Sequence, residues 1–156
     1  MIADQLHIVV CIKQTFSATN AQYDPKTGVV QQQSGQGAVN PFDEYALEEA
    51  VRIKERLNGK AVVAALSMGA KSAEEVLREA ISKGCDMPYL LSAPEFENSD
   101  TFATSYILSR GIAKISQEKG PVDIVLCGKQ TNDSDTGQVG PGIAAWLDWP
   151  NVIFIK

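Results

Sequence analysis

The stretch that carries most of the information about chemistry in this chain is Cys127–Pro141, which reads CGKQTNDSDTGQVGP. Within it, Asp133-Ser-Asp-Thr-Gly137 collects short polar side chains just ahead of a segment with helical spacing. If Thr136, Gly137, Gln138, Val139 and Gly140 open that helix, their successive backbone N–H groups and the helix dipole favour a phosphate. Gly128, directly after an apolar run, lets the chain turn close to a ligand. On pattern alone, the stretch serves equally well as a plain connection whose polar residues cap a helix. It matches neither the GxGxxG dinucleotide fingerprint nor the P-loop.

The other candidates offer less. Asp133 and Asp135 are placed to work as an acid and a base, yet two aspartates this close in a polar loop read more readily as capping residues. His7 is the only histidine. It opens a strand, which argues against a His-based triad or metal cluster and for a packed imidazole. Lys129 reads as a solvated lysine, Asn40 and Asp43 as the cap of a helix, and Trp146 and Trp149 as packing residues in the core or an interface. Of the three cysteines, Cys11 and Cys127 sit in apolar runs and behave as small hydrophobes, and no pair has the close spacing of a metal or redox motif. That usage suits a reduced, cytosolic protein. No residue is singled out as catalytic and no metal set is apparent.

The elements that must position these residues alternate. Short runs rich in Val, Ile and Leu occur at Leu6–Ile12, Ala61–Leu66, Tyr89–Leu91, Asp123–Cys127 and Val152–Ile155. They mostly lack polar alternation, as strands covered on both faces do. Between them, Pro41–Leu57 keeps one apolar stripe through Phe42, Ala46, Ala50, Ile53 and Leu57, with Asn40 as N-cap, Pro41 at the first position and Asn58-Gly59 as the stop. A second helix starts at the capping box Ser72–Glu75 and ends at Lys83-Gly84. A third runs from about Asp100 to Lys119, closed by Gly120-Pro121, and a fourth, shorter one over Gly137–Leu147. This order predicts parallel strands joined by right-handed crossovers in a three-layer α/β sandwich. The exception is the polar stretch Gln14–Val39, where Tyr23 and Val29-Val30 flank a turn at Asp24–Gly28 and suggest a small hairpin. In an open parallel sheet, ligands collect at the carboxyl ends of the strands. Cys11–Lys13, Asn40–Asp43, Ser67–Gly69 and Cys127–Pro141 should therefore meet there.

Composition sets the outer bounds. The 156 residues, 44% hydrophobic and 21% charged, suit one globular domain with a real core and exclude disorder. The net charge of −5, with no Lys/Arg cluster, argues against a nucleic-acid partner. No apolar window is long enough for a membrane span. The N-terminal MIADQLHIVV contains an Asp and no basic region, so it does not read as a secretory signal.

Taken in order, VVCIKQ at 9–14, NPFDEYALEEAVRIKE at 40–55, ALSMGAKSAEEVLREAISKGCD at 65–86, DIVLCGKQ at 123–130 and DTGQVGPGIAAWLDWP at 135–150 resemble the β (small) subunit of electron-transfer flavoproteins. The likeness covers nearly the whole chain, and NPFDE with GKQ and DTGQVGP is its most specific part. It implies a Rossmann-like domain of the adenine-nucleotide α-hydrolase superfamily, with strand order 3-2-1-4-5. It also implies a heterodimer with an α subunit carrying FAD, shuttling electrons between dehydrogenases and an acceptor in a bacterial or archaeal cytosol. The β subunit itself would hold AMP, or a second FAD that takes hydride from NADH in members that bifurcate electrons. Carried over residue by residue, Cys11 is the position after the first strand whose backbone meets the adenine, Asn40, Pro41, Phe42 and Asp43 line the nucleotide pocket, Met68 and Gly69 sit at the end of the second strand, and Asp133 to Pro141 wrap the phosphate, with Thr136, Gln138 and Val139 in direct contact.

Two departures bear on those expectations. The loop NDSDTGQVGP is shorter than in AMP-holding members, which tilts the cofactor towards FAD, while NPFDEYALEE looks more like the AMP-holding pattern. The family's β subunits also continue well past this point, so the chain reads as a single nucleotide-binding domain (1–156) lacking the family's C-terminal segment. The alternative from another class is a stand-alone ATP- or AMP-binding module of the universal-stress type. An adenylating pyrophosphatase is rejected, because CIKQT follows the first strand where an SGGxDS-type phosphate loop is needed.

Overall fold

The computed structural model describes residues 5–16, 22–23, 30–31 and 37–155. Strand β1 (Leu6–Cys11) is followed by the short strands β2 (Gln14–Thr15), β3 (Gln22–Tyr23), β4 (Val30–Gln31) and β5 (Ala38–Val39). Then come α1 (Pro41–Arg56), β6 (Ala61–Met68), α2 (Glu74–Ser82), β7 (Met87–Leu91), α3 (Thr101–Lys119), β8 (Ile124–Cys127) and α4 (Val139–Leu147). The main sheet is parallel throughout, in the spatial order β7-β6-β1-β8. Numbered by their order along the chain, those four strands stand side by side as 3-2-1-4, the first four places of the expected 3-2-1-4-5.

Each face of the sheet is covered, which is why its strands are apolar without alternation. Ile8 and Val10 of β1 and Val63 and Ala65 of β6 pack with Leu47 and Ala50 of α1 and Val76 and Ala80 of α2. The alternate residues Val9, Cys11, Ala64 and Leu66 pack with Leu108, Ile112 and Ile115 of α3 and Ile143 of α4. Two carboxylates fix where strands enter. Asp86 accepts from Val63 N–H at 2.9 Å, and Asp123 accepts from His7 N–H at 2.8 Å. His7 is buried with Nδ1 3.3 Å from the Gly120 carbonyl, the packed imidazole expected of it.

Three expectations need correction. Val152–Ile155 forms no fifth strand: it adds no ladder to β8, its four side chains are exposed, and Phe154 at φ +55° breaks the extended run a ladder requires. The box at Ser72 does not form, because a 3-10 turn over Lys71–Ala73 leads into α2 and the Ser72 hydroxyl donates to Gln14 Oε1 at 3.0 Å instead. The fourth helix starts at Val139, two residues later than expected, since Gly137 at φ +64° cannot continue a right-handed turn. Trp146, expected in the core or an interface, packs on the surface of α3. It is 43% exposed, stacked edge-on against Phe102 and Tyr106 of α3. By contrast, Asp100 caps α3 through Ala103 N–H at 2.8 Å, and β3 and β4 pair antiparallel with Tyr23 opposite Val30. The turn proposed between them at Asp24–Gly28, with Val29, lies outside the described residues.

Helices α3 and α4 approach closely at Gly142, where an added Cβ would sit 2.6 Å from Ser105 Oγ and 2.7 Å from its Cβ. Ser105 cannot swing away freely, because its hydroxyl donates to the Phe102 carbonyl and accepts from Trp146 Nε1. Gly142→Val should therefore lower stability by about 1–3 kcal/mol through overpacking, outweighing the few tenths gained in helix propensity. Urea unfolding followed by circular dichroism measures it.

Candidate functional site

Neighbouring strands β1 and β8 receive their crossovers from opposite directions, so their carboxyl ends form the switch point of the sheet. A cavity of about 280 Å³ opens there. Its floor is set by Cys11 and Cys127, which face each other in register on the two strands, together with Met68 at the end of β6 and Leu108 of α3. Its rim is the run Thr136–Gly140, entering α4, with Lys13 and Lys129 as the cations nearest it.

The first turn of α1 holds the two loops of this site together. Asn40, fully buried, donates from Nδ2 to the Gln130 carbonyl at 2.8 Å and accepts Asn132 N–H at 3.2 Å on Oδ1. Its own N–H donates to the Lys13 carbonyl at 2.9 Å. The expectation that its side chain caps α1 is corrected: no side-chain capping bond forms, because the amide is turned outward into the 128–132 loop. Asp43 does the matching task one turn on. Its Oδ2 accepts Lys13 N–H at 2.8 Å, and the Gly128 N–H also bonds to its carboxylate. Gly128 is a glycine for this reason, since a Cβ there would stand 2.8 Å from the Asp43 backbone nitrogen and collide with its carboxylate.

Burial pushes the Asp43 carboxyl up to about 6, against the Lys13 N–H, the Asn40 amide, the Gly128 N–H and the Lys13 charge, all of which pull it down. On the floor, the hydrogen bond with Cys127, burial, and the Cys127 and Asp43 charges together hold the Cys11 thiol well above its ordinary range. Both cysteines are free. A thiol held protonated is a poor nucleophile, so Cys11 serves as an apolar surface. At the rim, burial alone would raise Asp133. The Lys13 ammonium 2.6 Å away, with Thr131 and Ser134, outweighs that effect and lowers it.

Ten of the sixteen residues expected at the site line the cavity: Cys11, Asp43, Met68, Gly69, Gly128 and the five from Thr136 to Gly140. Six do not. Asn40 works from beneath the loop, and Pro41 and Phe42 lie in the α1 turn behind it. Asp133 is turned to Lys13, Asp135 accepts from Gln130 Nε2, and Pro141 is built into the first turn of α4. Asp133 and Asp135 therefore have structural partners and do not converge on the cavity as an acid and base. Sequence reasoning missed the wall contributed by Phe96, Asn98, Ser99, Thr101 and Thr104, which follows β7 and opens α3. The same rule that gathered the other strand ends applies to β7. Its signal was available in SAPEFENSDT, and a 3-10 turn at Pro94–Phe96 precedes the left-handed Asn98 that leads into α3.

The family model described as electron transfer flavoprotein domain matches residues 27–155. The chain belongs to the electron transfer flavoprotein family. It is of the β-subunit type, as its relatives indicate. It is 44% identical over 150 residues to Protein FixA of Sinorhizobium fredii, covering 96% of this chain and 52% of that protein. It is 43% identical over 151 residues to the electron transfer flavoprotein subunit beta of Thermoanaerobacterium thermosaccharolyticum, covering 97% and 55%. The corresponding subunit of Megasphaera elsdenii is 40% identical over 153 residues, with 97% and 56% covered. The chain thus spans about half the length of the curated relatives it matches. Within this family domain, no helix among the described residues is long and apolar enough to cross a membrane.

Two substitutions separate the scaffold of the site from its surface. Asn40→Ala leaves the Gln130 carbonyl and Asn132 N–H without their partner, and should cost about 1–3 kcal/mol in unfolding free energy. Gly137→Val is different: its Cβ would stand 3.3 Å from the Lys129 carbonyl at a φ that β-branched residues avoid. If the cavity holds a nucleotide, this substitution should abolish its binding by calorimetry while the far-ultraviolet spectrum stays native; retained affinity would remove Gly137 from the site.

Proposed function

We propose that this chain forms the nucleotide-holding part of a β-type electron-transfer flavoprotein subunit, and that its cavity takes FAD, with AMP as the competing occupant. The observation that carries the reading is the cavity at the β1/β8 switch point, with an apolar floor on one side and the backbone of 136–140 on the other. Cys11, Met68, Leu108 and Val139 suit a planar base, and the N–H groups at the start of α4 suit a phosphate. Pro141 supplies no N–H, so Val139 and Gly140 are the donors of that first turn with no partner inside the helix. Gly140 lets the turn lie against β8, since a Cβ there would be 3.4 Å from that of Cys127. The short NDSDTGQVGP loop favours the larger nucleotide.

In this reading, the residues of the chain bind and orient. Asn40 and Asp43 hold the two loops at their spacing, and the floor excludes water. A bound flavin supplies the redox chemistry, which the amino-acid side chains do not. The partners implied are an α-type subunit with its own FAD, the dehydrogenases that exchange electrons with the pair and, where two flavins are present, NADH. The resemblance to proteins named as electron transfer flavoprotein subunit beta supports this assignment.

Co-expression with the α-type subunit, followed by denaturation and mass spectrometry of the released nucleotides, tests the reading. Two FAD per heterodimer is the expected result. One FAD with one AMP would assign the cavity a structural nucleotide, and the absence of any adenine nucleotide beyond the partner's FAD would overturn the site.

A further inference from the structure

Asp43 stands out because its position conflicts with the ligand the cavity suits. It is a carboxylate, 5% exposed, lining a cavity whose rim is arranged for an anion. Its oxygens accept from the Lys13 and Gly128 backbone N–H groups. Any phosphate entering the cavity brings a second negative charge to a cavity that already holds a buried carboxylate. Two such charges favour protonation of one of them.

We propose that filling this cavity with an anionic nucleotide is coupled to the uptake of a proton by Asp43, which acts as a positioning residue whose charge sets the affinity of the site. The proposal rests on the reading that the cavity takes a nucleotide. Burial already brings this carboxyl close to neutral pH, so a modest further push from a phosphate moves it through the physiological range. Protonation does not dismantle the latch. A neutral carboxyl keeps an acceptor oxygen for the Lys13 N–H, and Asn40 continues to tie the α1 turn to Gln130 and Asn132.

The surrounding charges leave this role to Asp43. Lys13, at the end of β1, directs its ammonium to Asp133 across the rim. Cys11 on β1 and Cys127 on β8 are the thiols beside it, and Cys11 is held protonated. Lys129, from the β8 side, lies over the Phe154 ring at 5.4 Å. Glu44, next to it on α1, is paired with Lys83 on the outer face. The only histidine, His7, lies at the opposite end of β1.

The sign follows from linkage. The occupied site binds the proton more tightly than the free one, so acid favours binding, and affinity falls as pH rises through the two pKa values. Each tenfold gain in proton affinity on occupation appears as a roughly tenfold weaker Kd at pH 8 than at pH 5.

FAD and ADP-ribose are suitable probes, because their phosphates are diesters whose charge is constant over that range. Calorimetry of each with the protein near pH 6.5, in buffers of different ionisation enthalpy, counts the protons taken up. Net uptake in the wild type and none in Asp43→Asn, with a pH-independent Kd in the variant, is the expected result. Zero uptake with binding intact would overturn the proposal and leave the nucleotide reading standing, as would the same uptake in the variant. Failure of both probes to bind at any pH would overturn both. If the variant does not fold, carbon-13 titration of the wild-type Asp43 carboxyl decides the matter. A midpoint near 6 that rises on saturation with FAD supports the coupling; a midpoint that does not move overturns it.

Discussion

Everything at the carboxyl edge of the sheet depends on a buried carboxylate and a buried amide one turn apart on α1. At a switch point, the loops that follow the two central strands diverge, and nothing in the ladder between β1 and β8 prescribes how far apart they stand. Asp43 and Asn40 prescribe it. The Asp43 carboxylate accepts from Lys13 on one side and Gly128 on the other, while Asn40 engages Lys13, Gln130 and Asn132. Hydrogen bonds to a charged group are worth about 1.5–3 kcal/mol each. The raised pKa shows that they fall short of the desolvation they oppose. Asp43 is therefore a poor source of stability and a good source of geometry.

The bonds farther out along the 128–138 loop are of another kind. The Lys13–Asp133 pair is short, but its side chains are 43% and 38% exposed, and pairs in that setting are typically worth under about 1 kcal/mol. Asp135 and Ser134 make their contacts at the exposed tip as well. The base of the loop is thus fixed by buried bonds and its tip by solvated ones. A binding loop gains from that gradient: the backbone donors near α4 start from a defined place, and the tip can be displaced by a ligand at little cost.

The fold was legible in the sequence wherever burial alone decided structure. The apolar runs at Leu6, Ala61, Tyr89 and Asp123 became the four parallel strands, and all four helices lay within two residues of their expected bounds. Two of the failures share one cause, competition for a polar group. Asn40 has the residue type of an N-cap, and so does Ser72, yet each found a partner distant in sequence, in Gln130 and Gln14, that no local pattern records. Val152–Ile155 has the composition of a strand without a ladder to join. At the site, the segments were legible because strand ends must gather at one edge, and ten of the sixteen residues expected there line the cavity. Asp133 and Asp135 looked functional by type and are occupied by Lys13 and Gln130, whereas the wall after β7 was overlooked because its residues are individually unremarkable.

The same facts explain why the site reads as a holder of a reactive molecule. Each group with intrinsic reactivity near the cavity is committed elsewhere: Cys11 is protonated against Cys127, Asp43 is bound by backbone N–H groups, and Lys13 is paired with Asp133. What remains available is shape, an apolar floor and the unpartnered N–H groups at the start of α4. In the proposed reading, such a site works through backbone position, because the spacing of the loops sets which contacts a nucleotide can make. Asn40, Asp43 and Gly128 set that spacing, and the first of them lines no part of the cavity. A search confined to cavity-lining residues would therefore miss one of the groups on which the site most depends.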